Sequence, residues 1–194
     1  KKEPIDNNLV RILSSKYDLD LLTSSIFARR GITEAGEILF YLENDLRYLH
    51  NPFLFTEMHD AVGRIAQAVE EGEKVLVFGD RDADGITSTV LLFKALTDLG
   101  LEVLWDLPKG DDPYGLTLDV VERAEQDGTT LIVTVDCGIS NTREIAAAQE
   151  KGIDTLVLDH HNPPEDLPPA FAILNPKMED SGYPFRDLAG CGVV

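Results

Sequence analysis

The chain has 194 residues, 43% of them apolar, enough for one substantial α/β core or a core with a small appendage. Its 35 acidic residues against 17 Lys and Arg give a net charge of −18. That balance opposes sequence-independent binding to nucleic acid unless metals and local basic residues intervene, and it points to a main polyanion-binding surface outside this segment. It leaves a nuclease open, because a two-metal site needs clustered carboxylates. No apolar run approaches the roughly 18–20 residues that span a bilayer, no secretory pattern opens the chain, and Cys137 and Cys191 lack metal-type pairing, all of which points to a cytoplasmic protein without a disulfide scaffold.

Residues 1–49 read as irregular and helical. Apolar residues at helical spacing predict a helix over 18–30, stopped by Gly31. Thr33 is placed to cap a second helix over 34–42, and Asn51-Pro52 marks a loop. Thr56 then opens a clearer helix, with Ala61, Ile65, Ala66 and Val69 on one side and Gly72 at its end. The expected division is a helical N-terminal segment, 1–72, packing on an α/β domain, 73–194.

From Lys74 onward strands and helices alternate. Predicted strands cover 74–78, 102–107, 130–135, 154–158 and 171–174, and predicted helices cover 86–99, 117–126 and 142–151. The strands are short and rich in β-branched residues, as expected when helices bury both faces. The pattern predicts a doubly wound, mostly parallel five-stranded sheet flanked by helices. Ligands of such sheets bind beyond the carboxyl ends of the strands.

Three polar clusters fall at that edge. Asp80-Arg81-Asp82-Ala83-Asp84-Gly85 follows the first strand, Asp136-Cys137-Gly138 the third, and Asp159-His160-His161 the fourth. Carboxylates this close repel one another as anions, so a divalent cation is the simplest partner. The first loop resembles half of an EF-hand, but its twelfth position is Leu91 rather than Glu, and a strand precedes it. A dehalogenase-type phosphatase is the other single-loop reading, weakened by Ile86 between Gly85 and Thr87. The convergence of three loops says more than any one of them. Carboxylates with imidazole suit Mn²⁺, with Zn²⁺ or Mg²⁺ possible, and central Asp136 is placed to bridge two ions. No Walker A or dinucleotide glycine fingerprint is present.

The run from Gly79 to Ser88, Val135-Asp136-Cys137-Gly138-Ile139 and Asp159-His160-His161 together resemble the signature motifs of the DHH phosphoesterase family, and within it those of its single-strand-specific 5′→3′ DNA exonucleases. Tyr114-Gly115-Leu116, Asn175-Pro176-Lys177 and the stretch from Asp187 to Val193 support the match. The resemblance implies a Mn²⁺- or Mg²⁺-dependent phosphodiesterase acting on single-stranded DNA. It implies Asp80, Asp82, Asp84, Asp136 and His160 as metal ligands, Asp136, His160 and His161 as the catalytic set, and Asp159 as the partner orienting an imidazole. His161, Ser88 and Arg81 are the implied substrate contacts. Arg81 stands where the family more often has an aromatic residue, and Asp111-Asp112-Pro113 where a basic residue and glycine are more typical.

Because that family continues beyond the equivalent of Val194 with a further metal carboxylate and a second domain, the sequence reads as an N-terminal part of a larger protein, with weak or no nuclease activity alone. Other readings are a family hydrolase of short oligonucleotides, cyclic dinucleotides or polyphosphate, and a non-catalytic interaction module. The residues carry no pattern that reports on a helicase or single-strand-binding-protein partner.

Overall fold

The computed structural model describes residues 6–43 and 45–194. The first five residues of the expected N-terminal segment, and Asn44, lie outside the described residues. The chain divides into two compact units, 1–50 and 51–194.

The first unit is helical. Helix α1 spans Asn7–Tyr17, α2 Leu21–Arg30 and α3 Ala35–Leu42. The helix predicted over 18–30 is shorter at its start. Asp18 ends α1 in a left-handed conformation (φ 52°), and Asp20 then caps α2 by accepting from the Leu22 and Thr23 amides. Glu34 rather than Thr33 precedes α3. Leu13, Phe27 and Ile38, one from each helix, form the buried centre of this unit.

The second unit is the predicted α/β fold. Its elements are α4 (Met58–Glu71), β1 (Lys74–Gly79), α5 (Ala83–Asp98), β2 (Glu102–Asp106), α6 (Leu118–Gln126), β3 (Leu131–Val135), α7 (Thr142–Glu150), β4 (Asp154–Leu158), β5 (Ala172–Leu174) and α8 (Gly190–Val193). All five strands pair in parallel in the order β2-β1-β3-β4-β5. Alternation along each strand sorts the core into two layers. Val75, Val77, Val133 and Leu156 pack with Ala61 of α4 and Leu92 and Leu96 of α5. Leu76, Phe78, Ile132 and Val157 pack with Val121 of α6 and Ile145 of α7. Thr56 does not begin α4. Its hydroxyl donates to the Asp180 carbonyl and its amide to that of Ser181, which ties the entry of α4 to the loop after β5.

At the amino ends of the strands, Arg64 of α4 is 5% exposed and fully paired. Its Nη1 and Nη2 reach Glu73 at 2.9 and 2.7 Å, and its Nε reaches Asp154 at 2.6 Å. Thr130 also donates to Glu73, and these partners, Arg64 foremost, hold the Glu73 carboxyl below its ordinary range.

Candidate metal centre

The strand order reverses between β1 and β3, so the loops after these two strands diverge and leave a crevice between them. Asp80 leaves the end of β1 buried. Asp82 is the N-cap of α5, its Oδ1 accepting from the Asp84 and Gly85 amides at 2.9 and 3.0 Å. That cap starts α5 at Ala83, three residues before the predicted start. Asp84, in the first turn, faces the far end of the chain and accepts from the amides of Gly190 (2.7 Å) and Cys191 (2.8 Å). Burial opposes its ionisation, but the Cys191 and Gly190 amides outweigh this and keep its carboxyl below the usual range.

Asp136 follows β3 and is 2% exposed, with φ at 58°. An aspartate tolerates this left-handed geometry at a cost of order 1–3 kcal/mol, which its surroundings must impose. Its amide donates to the Leu158 carbonyl at 2.9 Å, and its carboxylate lies against Gly190, where a Cβ would come 2.7 Å from Oδ1. Only glycine fits that approach. Burial, then the charges of Asp84 and Asp82, push the Asp136 carboxyl up to about 7.

Asp159 is fully buried and organises the third loop. Its Oδ1 accepts from the amides of His160 (2.7 Å) and His161 (3.1 Å), and its Oδ2 from that of Ile139 (3.0 Å). The ring it holds is that of His161, whose Nδ1 is 2.7 Å from Oδ1. The His160 ring turns the other way, placing Nε2 3.0 Å from Asp136 Oδ1 and 3.6 Å from Asp84 Oδ2.

The side chains from the three loops thus meet. Among the described residues, two groups of donor atoms fall within 4.8 Å of one another, Asp80 with Asp82 and Asp136, and Asp136 with His160 and His161. Asp136 belongs to both, and the His160–Asp84 approach brings Asp84 to the second. Asp80 Oδ1 and Asp136 Oδ1 are buried and accept no well-aligned hydrogen bond, although His160 Nε2 comes within 3.0 Å of Asp136 Oδ1. Leaving buried carboxylate oxygens without donors is costly, and a hard divalent cation between mixed O and N donors removes that cost. The residues therefore fit such an ion.

The two other sequence candidates stand apart from this cluster. Arg81 is exposed and its Nη1 donates to the Gly110 carbonyl at 2.7 Å, tying the first loop to the one after β2. Ser88, expected to contact substrate, is fully buried in α5 with its hydroxyl unpartnered, so it has no surface to offer a polymer in solution. Sequence reasoning gave no chemical role to Tyr114, whose hydroxyl donates to the Asp136 carbonyl at 3.0 Å and lies 3.2 Å from His161 Nδ1. Burial, and next the Asp159 charge, push its phenol well above the ordinary range. An aromatic residue before Gly115 was the visible signal. A groove of about 500 Å³ between the end of β2 and α6, lined by Leu107, Lys109 and Arg123 among others, includes none of the clustered carboxylates.

Comparison with known proteins places these features. Residues 74–194 match the DHH family, N-terminal domain. The single-stranded-DNA-specific exonuclease RecJ of Bacillus subtilis is 34% identical over 190 residues, covering 97% of this chain and 24% of the relative. That of Haemophilus influenzae is 42% identical over 175 residues, covering 89% and 30%. A crystal structure of exonuclease RecJ bound to manganese superposes with a TM-score of 0.65 at 31% identity, over 75% of this chain and 37% of that one. RecJ from Thermus thermophilus in complex with Mn²⁺ gives 0.66 at 25% identity, over 100% and 26%. The chain spans less than a third of the length of the two curated relatives above.

Proposed function

The chain belongs to the DHH family, and on that premise we propose that it forms the catalytic domain of a metal-dependent phosphodiesterase, a 5′→3′ exonuclease on single-stranded DNA that serves repair and recombination in the cytoplasm. The observation that carries the reading is the sharing of the buried Asp136 carboxylate between two donor groups, one of carboxylates and one with His160 and His161.

Asp80, Asp82 and Asp136 would hold one Mn²⁺ or Mg²⁺ ion, and Asp84, Asp136 and His160 a second. Two such ions, when bound, would supply a water nucleophile at neutral pH and positive charge for the phosphoryl oxygens. The protein's own groups prepare the site. Asp159 keeps a proton on His161 Nδ1, which leaves Nε2 for the scissile phosphate or its developing charge. The Gly190 and Cys191 amides keep Asp84 ionised, so it does not compete with Asp136 for a proton. Arg81 holds the first loop against Gly110.

Calorimetric titration of Mn²⁺ into the chain and into Asp136→Ala tests the reading. Binding that disappears in the variant is expected. Binding indifferent to Asp136 would sink the shared-ligand site and leave the interaction-module reading. Polarity is read separately, on the complete protein, from the order of release from single-stranded DNA labelled at either end.

A further inference from the structure

The loop carrying Tyr114 is built to an unusual degree for a connection with no assigned chemistry. Asn141, in the loop that follows Asp136, bridges both backbone groups of Leu116, donating to its carbonyl at 3.0 Å and accepting from its amide at 3.1 Å. Gly115 takes φ 81° with its Cβ position 2.6 Å from Asn141 Oδ1, which any side chain would fill. The Tyr114 backbone is therefore fixed against the Asp136 loop rather than left to solvent.

The hydroxyl at the end of that side chain lies between two groups of the metal centre. It is 3.0 Å from the Asp136 carbonyl and 3.2 Å from His161 Nδ1, and the two rings meet edge to face at 5.8 Å and 73°. The proton positions follow from the partners. The buried Asp159 carboxylate, 2.7 Å from Nδ1, is the stronger acceptor, so Nδ1 carries the proton. A protonated Nδ1 cannot accept from the phenol. The phenol proton therefore goes to the Asp136 carbonyl, and its oxygen lone pairs face Nδ1–H.

We propose that Tyr114 is a positioning residue, whose hydroxyl joins the left-handed Asp136 backbone to the His161 ring and holds the two in one arrangement. Asp159 alone would fix which ring nitrogen bears the proton but would leave the ring free to swing about that single bond. The hydroxyl closes the second side. The purpose of the arrangement rests on the phosphodiesterase reading, whereas the arrangement itself does not.

The test compares the chain with Tyr114→Phe, which keeps the ring and loses the hydroxyl, and Tyr114→Leu, which loses both. The first readout is the imidazole ¹⁵N–¹H spectrum at pH 8, with His161 identified by His161→Gln. The native chain is expected to give one Nδ1-protonated tautomer for His161, and Tyr114→Phe to broaden or split it while Mn²⁺ stoichiometry and melting temperature stay unchanged. The second readout is Mn²⁺-dependent hydrolysis of bis(p-nitrophenyl) phosphate by the complete protein carrying the same substitutions. Its kcat is expected to fall about tenfold in Tyr114→Phe with KM held, as when a partner that orients a ligand is removed. A His161 spectrum identical in Tyr114→Phe and the native chain overturns the proposal. So does damage confined to Tyr114→Leu, which would assign the role to ring packing. A native chain that does not bind Mn²⁺ through Asp136 would overturn the phosphodiesterase reading, and the spectra would still decide the role of Tyr114.

Discussion

Arg64, at the amino ends of the strands, and Asp136, at the carboxyl end of β3, are buried to nearly the same depth, 5% and 2% exposed. Their surroundings are opposite. Arg64 meets Glu73 through two nitrogens and Asp154 through a third, so each buried charge at that end has a partner of the protein's own. Asp136 has Asp82 and Asp84 as charged neighbours and, among the described residues, no Lys or Arg partner, its Oδ1 meeting only the His160 ring at 3.0 Å. One end of the sheet is electrostatically closed and the other is left for something to complete. The same fold therefore carries a stabilising cluster and a destabilising one about a strand length apart, and the destabilising one is where chemistry is to be expected.

The contrast breaks most easily at the closed end. Arg64→Met leaves the buried Glu73 carboxylate without its charged partner, so it is expected to remove ~3 kcal/mol of stability in urea unfolding while leaving Mn²⁺ affinity of the folded chain unchanged. Equal loss of Mn²⁺ affinity would show that the two ends are not independent.

At the open end the sign reverses. With the Asp136 carboxyl raised to about 7 from an ordinary 3.8, the folded chain between those values keeps a proton that the unfolded chain has released. This group's contribution to stability therefore falls as pH rises through that window. Asp136→Asn removes the penalty. The variant is expected to melt higher than the native chain at pH 8, by an equivalent of ~2–3 kcal/mol, to match it near pH 4, and to bind no Mn²⁺. For the native chain, Mn²⁺ affinity is expected to climb as pH rises from 6 to 8, with proton release on binding seen in buffers of different ionisation enthalpy.

Gly190→Ala sharpens the comparison without changing charge. A methyl group 2.7 Å from Asp136 Oδ1 must displace the carboxylate or α8, which is expected to cost ~1–3 kcal/mol and to weaken Mn²⁺ binding together. Lys94→Ala, which removes an exposed pair with Asp98, is the baseline and is expected to change stability by less than ~0.5 kcal/mol and Mn²⁺ binding not at all.

The sheet was legible because its information is local. Each strand is a short β-branched run between turn signals, and each predicted strand lies within a residue of the observed one at either end. The three acidic and histidine loops were legible for the same reason, since parallel strands deliver their ends to one edge. The start of α5 was missed because Asp82 reads equally as a ligand and as a helix cap, and it sits where both roles are open. Asp18 and Asp20, which separate α1 from α2, interrupt no apolar periodicity and so left no mark. The contacts of Tyr114 with His161 and of Asp84 with Gly190 join residues 47 and 106 apart, and no spacing rule reaches across such distances.

The Asp84 contacts with Gly190 and Cys191 also set an order of events during synthesis. At about 5–20 residues per second, a ribosome needs roughly 5–20 s to make the 106 residues that separate Asp84 from Gly190. Throughout that interval the carboxylates exist on the nascent chain, but the amides that keep Asp84 ionised, and the glycine on which Asp136 rests, do not. A nascent chain shorter than this therefore lacks both the amides that hold Asp84 and the glycine against which Asp136 packs, and these loop contacts form only on the arrival of α8.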